Sequence, residues 1–172
     1  MPWPVQLVLA GMVAAAAVTD IATRRIPNWL TAPGAVLGLA LQAYYQGWRG
    51  AALSLAGAAL GFGIFAALYL AGGMGAGDVK LFAAVGAFVG PYRLALVFIF
   101  TGVLGGIVAV ALALCRGRLR QVLAQTGHLL LSFGLLRWQE VRRASSLGSP
   151  GALRLPYGAV IAGGTLLFLA LS

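Results

Sequence analysis

The chain has 172 residues, of which 61% are hydrophobic and only 9% charged, with a mean hydropathy of +0.95. A soluble domain averages about 25% charged residues, so the composition excludes one and describes an all-α, polytopic membrane protein. The net charge of +9 does not point to nucleic acid, because the basic residues cluster in short connections between apolar runs; a single cysteine, Cys115, excludes an internal disulfide and a zinc site of several thiolates.

The first apolar segment runs from about Trp3 to Thr19 with no basic residue before it, and Arg24 and Arg25 follow it. A secretory signal would carry its positive charge first, so an uncleaved helix with its N-terminus outside is expected. Asp20 then falls where this helix reaches the cytoplasmic surface. Proline disfavours helix at the residue before it and suits a first turn, so Ile26-Pro27-Asn28 starts the second segment near Pro27. That segment, about Trp29 to Tyr45, ends in Tyr44, Tyr45 and Trp48, an aromatic belt for the outer interface.

The third segment, about Ala51 to Ala71, returns to the cytoplasm and delivers Gly72-Gly73-Met74-Gly75-Ala76-Gly77-Asp78-Val79-Lys80. Only three acids exist in the chain, Asp20, Asp78 and Glu140. A carboxylate at the edge of an apolar segment costs about 2.5 to 3.5 kcal/mol to insert, which marks Asp78 as a functional candidate. The glycines leave the backbone free to take unusual dihedrals and to let another chain approach, although an ordinary helix end would read the same way. The fourth segment, about Asp78 to Val89, spans only about 18 Å against a membrane core of about 30 Å, so Asp78 is expected at a recessed position.

Pro91 and Tyr92 make an outer turn, and a fifth segment runs from about Arg93 to Cys115. Between Arg116 and Arg154 the chain is most basic. There Gln121, Gln125, His128 and Ser132 share one helical face opposite Leu119, Val122, Leu123, Leu130 and Phe133, which describes an interfacial amphipathic helix held to anionic lipid by its arginines. His128 reads as a polar-face residue, and Glu140 as a partner of Arg137 or Arg143. Ser145 to Pro150 reads as a linker, and a sixth segment begins near Pro156. All twelve basic residues except Arg49 and Arg93 then lie inside, the bias the positive-inside rule requires. Six transmembrane helices in one membrane-embedded domain, with both termini outside, is the expected fold.

On this topology Asp20 and Asp78 share the cytoplasmic face. Two carboxylates within a few ångströms cannot both ionise easily and share a proton. The ionised member takes a proton from water while the protonated member polarises a peptide carbonyl. That is aspartic-protease chemistry, and it implies no cofactor and no metal. From spacing alone, the same pair would serve a small ion-coupled transporter or channel subunit equally well.

Three motifs extend the reading. Gly75-Ala76-Gly77-Asp78 fits the Gly-x-Gly-Asp signature of membrane aspartic peptidases, and Lys80 extends it to Gly-Asp-x-Lys. Asp20, followed by Arg24 and Ile26-Pro27-Asn28, resembles the first-aspartate motif of prepilin peptidases, and Leu155-Pro156-Tyr157-Gly158 resembles the Pro-aromatic-Gly opening of their last helix. In family order, these resemble the bacterial type IV prepilin leader peptidases and their archaeal preflagellin relatives. The chain lacks the Cys-x-x-Cys region of larger, N-methylating members and is similar to the short peptidases of tight-adherence (Flp) pili.

The resemblance implies Asp20 and Asp78 as the catalytic pair, acting on the short basic leader of a prepilin or pseudopilin at the bacterial inner membrane. It implies that Gly75 and Gly77 open the backbone for substrate, that Lys80 tunes Asp78 or snorkels to the interface, and that Pro27 and Asn28 position the first loop. Pro156 would open the last helix. A presenilin-like protease that cuts transmembrane segments is the further alternative, against which Ile26-Pro27-Asn28 argues.

Overall fold

In a computed structural model the described residues, 1–70, 74–115 and 157–172, form an all-helical bundle. Four helices are described: α1 (Trp3–Thr23), α2 (Asn28–Leu70), α3 (Ala76–Cys115) and α4 (Tyr157–Leu171). The first three are long and apolar enough to cross a membrane, and α4 is a shorter apolar helix. The expected interfacial helix between residues 116 and 154 and the residues Pro156, His128 and Glu140 lie outside the described residues, as do Gly72 and Gly73.

Among the described residues, four helices therefore stand where six separate ones were expected. The difference has a local cause. Gly47 (φ 60°, ψ −147°) interrupts α2 and Gly90 (φ 75°, ψ 171°) interrupts α3, both in backbone regions open essentially to glycine alone. Each reversal takes one residue, so neither the stretch at Trp48 nor Pro91-Tyr92 forms a loop of its own.

The chain folds back at both points. Gly38 and Gly57 flank Gly47, and both pack against residues 86–90, although a straight helix would hold them about 28 Å apart. Phe65 stacks on Phe82 at 4.0 Å and meets Phe98 edge-on at 6.3 Å, although Phe82 and Phe98 lie on opposite sides of Gly90. Pro91 lacks the N–H that the carbonyl four residues earlier would accept. At this break the side-chain amide of Gln42 donates to the Phe88 carbonyl, so backbone freed inside an apolar bundle is satisfied by a neighbouring helix.

The first half of α3 is the centre of the molecule: Leu81, Phe82, Ala84, Val85 and Phe88 are fully buried. The two halves of α2 cover one side of it. Gly57 and Gly86 let the backbones touch there, since a Cβ on either would strike the other's carbonyl. On the other side α4 packs between α3 and α1, with Val5, Leu9 and Val13 of α1 buried in the same core. This places the C-terminal end of α1 beside the N-terminal ends of α3 and α4.

Candidate active site

Asp20 lies in the last turn of α1, where the Arg24 N–H donates to the Asp20 carbonyl at 2.8 Å and ends the helix. Arg24 takes the left-handed conformation there (φ 53°), which turns the chain sharply into Ile26-Pro27-Asn28. The helix runs one turn beyond the expected end at Thr19, so Asp20 is a helical residue and its side chain points inward, 7% exposed.

Asp78 is the third residue of α3. Its carboxylate Oδ2 accepts the N–H of Gly75 at 3.0 Å, while its own N–H donates to the Gly75 carbonyl at 3.1 Å. This is the half of a capping box that the acid at N3 supplies, by accepting the N-cap N–H; glycine has no side chain to return it, and the Asp78 N–H uses the Gly75 carbonyl instead. The negative charge also lies at the positive end of the helix dipole. The side chain is 8% exposed.

The Asp20 carboxylate is held by a different device. Its Oδ2 accepts the N–H of Ala159, in the first turn of α4, at 3.2 Å. N–H groups of a first turn have no partner within their own helix and are free for such a bond. The approach depends on Gly158, because a Cβ there would lie 2.9 Å from Asp20 Oδ2 and 2.8 Å from Ile26 Cδ1. Ile26 also presses on the other glycine motif: a Cβ on Gly77 would lie 3.2 Å from Ile26 Cβ. One isoleucine thus wedges between Gly77, next to Asp78, and Gly158, next to Asp20.

Asp20 and Asp78 line one cleft of about 350 Å³ with Arg24, Arg25, Ile26 and the pair Asn28 and Lys80. Lys80 Nζ donates to Asn28 Oδ1 at 2.8 Å, which ties the start of α2 to the second turn of α3. The lysine is therefore engaged with the start of α2 rather than with Asp78. Neither Gly75 nor Gly77 has a positive φ. Gly77 is helical, and the property it supplies is closeness to Ile26 rather than an unwound backbone. Pro27 begins the α2 turn, its carbonyl accepting the Leu30 N–H at 3.1 Å. Among the described residues no cluster of three or more His, Cys, Asp or Glu is placed to hold a metal ion.

Two participants were not singled out by sequence reasoning. Gly158 belongs to a quoted motif, but nothing in the sequence says that its missing side chain makes room for Asp20. Ile26 belongs to the first-aspartate motif, but nothing in the sequence places it against either glycine. Its proximity to both glycines is a property of the tertiary fold.

Chemically, the arrangement presents two buried carboxylates, each fixed by a backbone N–H, at the floor of a cleft with cationic residues on its rim. No match was found among curated proteins or among solved structures. The signature of the Type IV leader peptidase family matches residues 7–110, which include both aspartates, the first loop and most of the buried core. The chain belongs to that family, and it is a peptidase of helical, membrane-protein architecture.

Proposed function

We propose that the chain is an aspartic endopeptidase in which Asp20 and Asp78 jointly activate a water against the peptide bond that joins a short basic leader to a type IV prepilin or pseudopilin, in the manner of the Flp-pilus enzymes. The observation that carries this reading is that the only two aspartates of the chain come from separate helices to line one cleft, both buried and both held by backbone N–H groups. One carboxylate takes a proton from water as the other, protonated, donates to the scissile carbonyl; the protons then pass to the leaving amine. Gly75 and Ala159 orient the carboxylates, and Gly77, Gly158 and Ile26 set their separation. The chain acts as one membrane-embedded domain. The test is purified protein in detergent micelles with a prepilin. Release of the leader at a discrete bond is expected; no cleavage together with proton or cation flux in vesicles would replace this reading with the transporter.

Six crossings of the bacterial inner membrane, both termini outside and the cleft facing the cytoplasm belong to the same proposal. The 43 residues of α2 would measure about 65 Å if straight, about twice the membrane core, and α2 and α3 both fold back near their middles. Cysteines introduced at Trp48 and Tyr92, in a Cys115→Ser background, are expected to react with a membrane-impermeant reagent added outside. Protection of either contradicts the six-crossing topology.

A further inference from the structure

At the end of the bundle away from the two aspartates lies a separate hollow of about 330 Å³. Two helices make its walls. Arg93, Leu96 and Phe100 fall on one face of α3 after the reversal at Gly90, and Phe168 and Leu171 share a face of α4. Met1 and Ser172 also line it, so it sits where α1 starts and α4 stops, about 20 to 25 Å along either helix from the aspartate cleft. The hollow is graded in chemistry. Arg93 is exposed, Leu96 lies about 5 Å and Phe100 about 10 Å farther along α3, and Phe168, which is buried, lies about 5 Å back from Leu171. A cationic mouth thus leads to a floor of two phenylalanines. The guanidinium is the only charged side chain in the lining, and the acids Asp20 and Asp78 are in the cleft at the other end. Trp3 and Tyr92 are exposed at the same end as Arg93, as amphipathic aromatics are at a bilayer interface.

We propose that this hollow holds one anionic phospholipid, with its phosphate at Arg93 and an acyl chain laid past Leu96 and Leu171 toward Phe100 and Phe168. Charge complementarity selects the occupant. The planar guanidinium fork matches a phosphate with two parallel hydrogen bonds. No acid in the lining balances its charge, so a head of net negative charge neutralises it, whereas a zwitterionic head brings a cation of its own. The apolar walls select a chain as well as a head, because a soluble phosphate touches only the mouth. A second copy of the protein is a poorer occupant: the acids among the described residues are buried at the far end and cannot reach Arg93 of a neighbour. The site is independent of the peptidase chemistry.

The test is native mass spectrometry of the full chain in mild detergent, offered equal amounts of phosphatidylglycerol and phosphatidylcholine with identical acyl chains. Preferential retention of one phosphatidylglycerol is expected. Arg93→Gln is expected to lower that retention about tenfold, the loss of a charge-assisted pair. Leu96→Trp keeps the charge but fills the hollow, and is expected to lower it as well. Arg49→Gln removes the same charge two residues past the reversal at Gly47, outside the hollow, and is expected to retain the lipid as the parent does. Equal retention of the two lipids by the parent overturns the proposal, since an arginine that only snorkels to the interface serves any head. Equal losses in Arg93→Gln and Arg49→Gln overturn it too, because the attraction is then diffuse. So does unchanged retention in both Arg93→Gln and Leu96→Trp. Displacement of the lipid by soluble glycerol phosphate reduces the site to one for a free anion and removes the lipid.

Discussion

The two aspartates stand in the same cleft but are held in opposite ways. Asp78 is fixed within its own turn of chain, by a glycine three residues before it. Asp20 is fixed by an N–H that lies 139 residues away in sequence, across the whole molecule. The first device is local, made within four consecutive residues at the start of α3. The second exists only when α1 and α4 have packed, because nothing local to Asp20 holds its carboxylate. The comparison teaches that one half of a symmetrical-looking pair depends on short-range structure and the other half on the assembled bundle.

The largest effect expected is from the carboxylates themselves. Asp20→Asn and Asp78→Asn each lower the rate of leader cleavage by about a thousandfold or more, since an amide can neither share the proton nor activate water. The two losses should match despite the different supports, and both variants should be recovered folded from the membrane. Unequal losses, with one variant cleaving well, would show that one aspartate only shapes the other's surroundings.

Gly158→Ala comes next and addresses the long-range support alone. Its methyl would enter space held by the Asp20 carboxylate and Ile26, at 2.9 Å and 2.8 Å, so Asp20 or α4 must shift. A displacement of about 1 Å in a catalytic group costs about 100-fold in rate, and that is the loss expected in kcat with KM little changed. A variant that is folded and fully active would mean that the bond from Ala159 does not position Asp20.

Gly77→Ala is expected to be milder. Gly77 is helical, so alanine gains helix propensity of up to about 1 kcal/mol, and its methyl would lie 3.2 Å from Ile26 Cβ, a few tenths of an ångström too close. About tenfold slower initial cleavage, with unchanged or raised thermal stability, is the expected result. A loss as large as that of Gly158→Ala would mean that substrate, rather than Ile26, needs the space above Gly77.

The smallest effect belongs to Lys80→Met, which removes an exposed hydrogen bond to Asn28. Exposed charged contacts contribute about 0 to 1 kcal/mol, so less than about fivefold in kcat/KM is expected. A hundredfold loss would return Lys80 to a direct role at Asp78.

The same contrast explains what could be read from the sequence. The candidate pair was named from the expected topology and the motif resemblance, whereas the apolar runs and the first-loop break at Pro27 were legible because composition and local backbone chemistry produce them. Asp78 beside its glycines was legible for the same reason. The reversals at Gly47 and Gly90 were not: nothing in the sequence marks these two, among 25 glycines, as the ones that take positive φ, as they alone do among the described glycines. Nor could the sequence show that Gly158 lies against Asp20, or that Ile26 joins both glycines, since these contacts are made only by packing α1 against α4 and α3.

The central claim is that the two carboxylates, however differently supported, act as one unit. It is tested most directly by single-turnover cleavage, with enzyme in excess and long incubation, comparing Asp20→Asn, Asp78→Asn and the double variant. Groups that act together lose their contribution once, so the double variant is predicted to be no slower than either single one. A double variant slower by the product of the two single losses would contradict the account, because each aspartate would then be contributing independently of the other.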